Sequence, residues 1–393
     1  MKTFKQMVIN TCLIGMSCLF ALAVVEAYLR VTDFSMPSLY HFSPDHSGAM
    51  HRPNAHGWHR SEGITYIRIN SAGLRDREHS ILKADNTYRI AIIGDSYAEA
   101  LQVEIEETFW SKLESLLQQN SFADGKKIEV INFGVSGYGT ADELLALQSR
   151  VWSYSPDMVL LAFLTGNDIR NNSKALEPRQ DKPFWVIEGG KLIYDDSFLK
   201  SEFYKKRTSE LWRTLQKLSD HIRVLQLLRF VKDNLFPSTT LSESESNGLS
   251  IEAGIDDAIY SEPKTKVWIE AWQVTEALIA KVNQEVQKHK ARFLLVCLSN
   301  SAQVYPAPDE RKKLMEKLGV SDLFYPDKRI YELGEALGIE VLLLAPFLQK
   351  VADEKKVHLH GFDNTKLGVG HWNKLGHSEA ASVISDYLLH KPL

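Results

Sequence analysis

Cysteine is scarce. Three in 393 residues cannot supply a disulfide framework. Cys12 and Cys18 fall in an N-terminal apolar segment and Cys297 in a Val/Leu-rich run, so no zinc-type spacing arises either. An excess of positive charge is also missing. Lys and Arg number 46 against 50 Asp and Glu, a net charge of −4, which speaks against a nucleic-acid partner. No internal repeat is visible, and no His/acid cluster has metal-ligand spacing, so no metal and no cofactor are expected. What is present is ordinary for a large globular protein. The apolar fraction is 44%, enough for a substantial core that needs no covalent staples.

One apolar run stands out. Lys2 and Lys5 precede residues 7–25, which carry no charge, and Glu26 and Arg30 end the run. That length is about enough to cross a hydrocarbon core of roughly 30 Å as a helix. A cleaved signal peptide is the competing assignment, with Ala21-Leu22-Ala23 resembling a cleavage site, but the run is long for a signal and apolar Val24-Val25 follow directly. The expectation is a retained single-pass anchor. With the lysines kept cytoplasmic, everything after Arg30 lies outside the inner membrane, on the periplasmic side.

Residues 31–87 read as an irregular extension packing on the core, punctuated by Pro37, Pro53, Gly57, Gly63 and Gly73, with one short strand at 64–69. Five stronger strand candidates follow at 88–93, 127–133, 157–164, 292–298 and 340–344. Each is short and Val/Ile/Leu-rich, as a strand buried on both faces should be. Helical stretches at 108–119, 141–154 and 327–337 separate most of them, which predicts an α/β fold with a parallel, doubly wound sheet. A helical insert at about 171–290 interrupts the alternation. Leu211, Leu215, Leu218, Ile222 and Leu225 mark one helical face, and Trp268, Trp272, Leu278, Val282 and Val286 a second. Both faces are expected to pack on each other or on the main domain; a lid or partner surface is the sharper alternative. Between them, the Ser/Glu-rich tract 237–250 reads as a loop.

Chemistry concentrates at the strand ends. The first strand stops at Gly94-Asp95-Ser96, which puts a serine at the carboxyl edge of the sheet and near a helix N-terminus, where a developing oxyanion is favoured. The second ends in Asn132-Phe133-Gly134-Val135-Ser136-Gly137, where Gly134 can bring a backbone N–H close to a substrate. The third ends in Gly166-Asn167-Asp168, where the Asn167 amide can aim at the same spot. Each turn alone has an ordinary structural explanation as cap or glycine turn, but the three converge on one edge. A base comes from Gly370-His371-Trp372-Asn373, just before a C-terminal helix that Asn373 would cap; His377 lies inside that helix. Asp95 and Asp168 are expected to brace their turns.

These four blocks resemble the GDSL/SGNH hydrolase family, whose name lists Ser, Gly, Asn and His. Carried over by motif, they fall on Ser96, Gly134, Asn167 and His371. The resemblance covers about 88–170 and 290–390 and implies a flavodoxin-like three-layer α/β/α hydrolase domain (88–393) with a five-stranded parallel sheet. The anchor, with Arg52-Pro53-Asn54 and Ile69-Asn70-Ser71-Ala72-Gly73-Leu74-Arg75 after it, resembles a membrane-tethered branch whose members often accompany surface-polysaccharide enzymes. One departure matters. The family usually places an Asp three residues before its His, and here that residue is Gly368. Three arrangements stay open: Asp363 folds back as the acid, a backbone carbonyl orients His371 in a Ser–His dyad, or the site is slow or inactive.

The function implied is a serine ester hydrolase in which Ser96 attacks and His371 shuttles the proton, with Ser96, Gly134 and Asn167 forming the oxyanion hole. The expected substrate is an acylated, chiefly acetylated, carbohydrate or another small ester, and Trp58, Trp152, Trp185 and Trp372 are weak candidates for stacking on sugars. The alternatives are a polysaccharide O-acyltransferase, a lipid esterase or thioesterase, and a decayed polysaccharide-binding protein.

Overall fold

The computed structural model describes residues 2–43, 48–235 and 255–391. The tract 237–250 expected as a loop lies outside the described residues.

Five strands build the central sheet: β1 (Thr87–Gly94), β2 (Lys127–Asn132), β3 (Met158–Phe163), β4 (Arg292–Cys297) and β5 (Glu340–Leu343). All neighbours are parallel, in the order β2-β1-β3-β4-β5. Every residue of β1 and of β3 is buried, which explains why these strands read as continuous apolar runs and not as alternations. Successive side chains still go to opposite faces. Ala91, Ile93, Val159, Leu161 and Leu295 pack with the helices Thr140–Ser149, Lys266–Lys288 and Tyr325–Leu337. Ile90, Ile92, Leu160, Leu294 and Val296 pack with Phe109–Gln119, Ala345–Lys355 and Lys374–Leu389. The result is the expected three-layer α/β/α sandwich with a flavodoxin-like strand order. The order reverses between β1 and β3, and the crevice at their carboxyl ends is where such sheets place ligands.

The extension is more regular than expected. It holds two antiparallel hairpins, Tyr40–Phe42 with Ala49–His51 and His56–His59 with Thr65–Arg68. Strands of three or four residues are too short to show a periodicity. Ile67 and Ile69 pin the second hairpin to Leu101. The insert likewise contains a hairpin, Phe184–Glu188 with Lys191–Asp195, closed by Gly189-Gly190 with φ of +56° and +77°, as a type I′ turn requires. Its first apolar face is split between two helices, Glu210–His221 and Arg223–Leu235, because Ile222 is extended (φ −118°, ψ 105°). The second face lies on Lys266–Lys288, where Trp272, Leu278, Val282 and Val286 are fully buried against the sheet. At the N-terminus the helix Lys2–Val31 includes the stretch Phe4–Val31, long and apolar enough to cross a membrane.

Candidate active site

β1 delivers Ser96. The strand ends at Gly94, and the Asp95 carboxylate accepts the Tyr97 N–H at 2.9 Å, capping the short helix Ser96–Glu99. Ser96 is therefore the first helical residue, with an N–H that the helix itself leaves unpaired. Gly134 is needed beside it for a steric reason, since a Cβ there would lie 2.5 Å from the Ala98 Cβ.

His371 arrives from the other side. The segment 359–361 runs beside 371–373: Gly361 N–H donates to the His371 carbonyl at 3.0 Å, and Asn373 N–H to Leu359 at 2.9 Å. Asn373 caps the helix Lys374–Leu389 through Leu375 and Gly376 N–H groups. His360 sits beneath the loop, with Nδ1 2.7 Å from the Gly370 carbonyl and Nε2 3.2 Å from Ser299 Oγ. Burial lowers the His360 pKa to about 4, so it is neutral, and Nδ1 carries the proton that the carbonyl accepts. Tyr97 Oη also donates to Gly370 O (3.2 Å), and its ring lies 4.9 Å from the His371 ring. His377 stays within its helix, accepting the Phe109 N–H at 3.2 Å, and burial lowers its pKa to about 3.

The two arms meet. His371 Nε2 is 2.8 Å from Ser96 Oγ. On the far side of the ring, Nδ1 is 2.5 Å from Glu62 Oε2, and the His371 backbone N–H donates to Glu62 Oε1 at 2.7 Å. A carboxylate only accepts, so the proton is on Nδ1 and Nε2 is left to accept from the serine hydroxyl. The partner on Nδ1 is thus neither of the two considered from the motif, Asp363 or a backbone carbonyl. Asp363 is exposed, and the place on Nδ1 is taken by a carboxylate from the extension. Asn364, next to Asp363, holds that acid's loop instead: its Oδ1 accepts the Gly63 N–H at 2.9 Å and its Nδ2 donates to the Arg60 carbonyl at 3.0 Å. Gly370 (φ +91°) gives Glu62 room, because a Cβ there would stand 2.1 Å from Glu62 Oε1. Burial pulls the Glu62 carboxyl upward, but the hydrogen bonds and charge of His371 outweigh it and the net shift is downward. Glu62 therefore remains ionised at neutral pH.

Nothing local marked Glu62 in the sequence. It lies 309 positions from His371, in a stretch read as irregular. The one indirect signal was Gly368, standing where the resemblance leads one to expect Asp, which left the partner of His371 open.

The three groups expected as oxyanion donors are not equally free. Asn167 Nδ2 donates one hydrogen to Asp95 Oδ2 at 3.0 Å, which orients the amide and leaves its second N–H over. Gly134, expected as a donor, spends its N–H on Asn132 Oδ1 at 3.0 Å. Three residues on, Gly137 (φ +78°) has an N–H with no acceptor among the described residues. Asp168 accepts the Leu164 N–H at 2.8 Å and so closes its turn, as Asp95 closes its own. Asp168 and Glu143 are wholly buried. Desolvation, then the neighbouring acidic charges, pushes both carboxyls well above the usual range.

A cavity of about 710 Å³ adjoins the β2 turn. Ser136 and Gly137 line it, together with Tyr40, Phe42, Arg179 and Trp212, whereas Ser96, His371 and Glu62 do not. Of the tryptophans considered for sugar stacking, Trp372 is withdrawn, since it is fully buried and donates to Ser299 Oγ at 2.9 Å. Trp152 is already stacked on His289, at 3.9 Å between ring centres.

No family model and no curated protein matches the chain. Among solved structures, it is similar to an acetyl xylan esterase at 12% identity, covering 76% of this chain and 98% of that one, with a TM-score of 0.39. An acetylxylan esterase from Geobacillus stearothermophilus aligns at 11% identity over 77% of this chain and 94% of its own, TM-score 0.36. A two-domain esterase active on acetylated mannans aligns at 14% over 77% and 49%, TM-score 0.36. At such scores the likeness carries no weight beside the geometry of the chain itself.

Proposed function

We propose that this chain is a serine ester hydrolase of the SGNH type that removes O-acyl groups, acetyl in particular, from a carbohydrate outside the cytoplasmic membrane. The observation that carries this reading is the continuous relay from Ser96 Oγ through the His371 ring to Glu62, at 2.8 and 2.5 Å. Ser96 Oγ attacks the acyl carbon as its proton passes to His371 Nε2. Glu62 holds the Nδ1–H and stabilises the imidazolium that forms. The Ser96 N–H and the free Asn167 N–H, with Gly137 as the third donor in place of Gly134, receive the charge on the carbonyl oxygen. His371 then returns its proton to the leaving alcohol. Water, deprotonated by the same nitrogen, attacks the acyl-enzyme and releases the acid and Ser96.

The carbohydrate assignment is supported by the resemblance of the motifs, by the apolar N-terminal helix that would hold the domain outside the cytoplasm, and by the aromatic and arginine lining of the cavity beside the β2 turn. The anchor spans 1–30, the extension 31–87 supplies the acid, and 88–393 carries the other catalytic groups. A fluorophosphonate probe tests the site. Wild type is expected to label, and Ser96→Ala to lose the label along with about 10⁶ in turnover on an acetylated oligosaccharide. A folded wild type that takes no label overturns the hydrolase reading.

A further inference from the structure

Two helices of the insert, Glu210–His221 and Arg223–Leu235, carry exposed leucines. Leu211 is 71% exposed, Leu215 48% and Leu218 47%; on the next helix Leu228 is 59% and Leu235 68% exposed. Spacings of three, four and seven put each set on one side of its helix. On Lys266–Lys288, by contrast, Leu278, Val282 and Val286 are buried. Two further observations say what covers this face.

The first is position. The junction between the two helices is tied to the end of the apolar N-terminal helix. Glu26 accepts the Val224 N–H at 2.9 Å, and Arg30 donates to the His221 carbonyl at 2.6 Å. Leu29 is buried there, and Phe34 meets Phe230 edge-on at 6.3 Å. Glu26 and Arg30 are the charges that end the apolar run, so residues 221–224 lie beside the end of the apolar helix, which on the anchor reading is where it leaves a bilayer. The second is charge. Residues 210–235 hold five Lys or Arg against three Asp or Glu, and Lys205, Lys206 and Arg207 come just before them, in a chain of net charge −4. Exposed leucines beside a basic surface are the composition of a helix that lies in an anionic lipid interface.

We infer that the helices Glu210–His221 and Arg223–Leu235 form a foot on the membrane surface. Their leucines enter the headgroup–acyl boundary of an anionic leaflet around the exit of the anchor. The inference rests on the anchor reading but not on the esterase reading. The foot is joined to the extension by the ion pair between Arg52 and Asp220. It therefore sets the height above the bilayer of the same extension that carries Glu62.

The test uses the full chain in phosphatidylglycerol vesicles containing a phospholipid with a diazirine near its acyl carbonyl. After irradiation, peptide mass spectrometry locates the adducts. Adducts are expected on 211–218 and 228–235 as well as on 7–25. Adducts on 7–25 alone overturn the foot and leave the anchor standing. Adducts on none of the three overturn the anchor and the foot together. Exchange of phosphatidylglycerol for phosphatidylcholine should lower the foot adducts severalfold and spare those on 7–25; an unchanged yield overturns the electrostatic part. Leu215→Gln, checked for an unaltered circular dichroism spectrum, should reduce the 211–218 adducts. If the face takes no lipid, and an amine-reactive bifunctional cross-linker added to the same vesicles joins the lysines beside it to a second copy of the chain, the occupant is that copy and the proposal falls.

Discussion

The sheet edge and the N-terminal extension each bring a charged or reactive group to His371, and they do so by different means. At the sheet edge, Ser96 and Asn167 follow directly from strands that are buried from end to end, and each is held by a residue beside it or at the next turn: Asp95 caps the serine helix and also orients Asn167. The extension has little core of its own. Glu62 is placed by contacts with residues some 300 positions away, Asn364 and the backbone of His371. The first arrangement is local and follows wherever the strands form. The second exists only in the folded molecule. A site split in this way can keep its nucleophile and base while its acid moves to another part of the chain.

The comparison breaks most sharply at the acid. Glu62→Gln should lower kcat by on the order of 10⁴, since the amide no longer holds the Nδ1–H tautomer or the imidazolium. Asp363→Asn, at the position nearest to the family's usual acid, should leave kcat where it is. Steady-state kinetics on an acetylated oligosaccharide compares the two, and the reverse ranking would return the acid to the C-terminal loop. Next in size is the sheet edge itself: Asn167→Ala should cost about 10² to 10³ in kcat with little change in KM, as for the loss of one oxyanion donor. An effect on KM alone would make Asn167 a binding residue only.

The smallest effect is in the pH dependence of stability, where the two regions have opposite signs. Glu62 titrates lower in the folded protein than in the unfolded chain. Its contribution is present above the unfolded value, ordinarily about 4.3, and is lost as pH falls through the folded one. The urea midpoint of Glu62→Gln should therefore approach that of wild type as pH falls below about 4. Glu143, behind the sheet edge, is shifted upward by burial. Its effect is most favourable below the unfolded value and is lost as pH rises through the folded one, so Glu143→Gln should gain on wild type from about pH 4 upward. Parallel curves for the two variants would remove the distinction.

Much of this was legible beforehand, for identifiable reasons. Strands covered on both faces show as unbroken Val/Ile/Leu runs, and their terminal Gly-Asp-Ser and Gly-Asn-Asp turns show as breaks in those runs. His371 was legible because Asn373 announces the helix that follows it. The place of Gly134 was not legible in full, because a glycine's value as a donor depends on whether its N–H is already taken, here by Asn132. The face at 211–225 was legible as amphipathic, yet periodicity states only that an apolar stripe exists. It was expected to be covered as that of Lys266–Lys288 is, yet Leu211, Leu215 and Leu218 are exposed and only Ile222 and Leu225 are half-buried.

By itself the order of residues determined the layered sheet, the edge at which Ser96 and Asn167 stand, and the loop that presents His371, because each depends on hydrophobic periodicity and turn chemistry within a dozen residues. Only the tertiary structure decided that Glu62 lies against His371 Nδ1, that the Gly134 N–H is taken by Asn132, and which apolar helix residues stay exposed. Those outcomes depend on which distant groups come within a hydrogen bond or a van der Waals contact, and no short-range pattern encodes that.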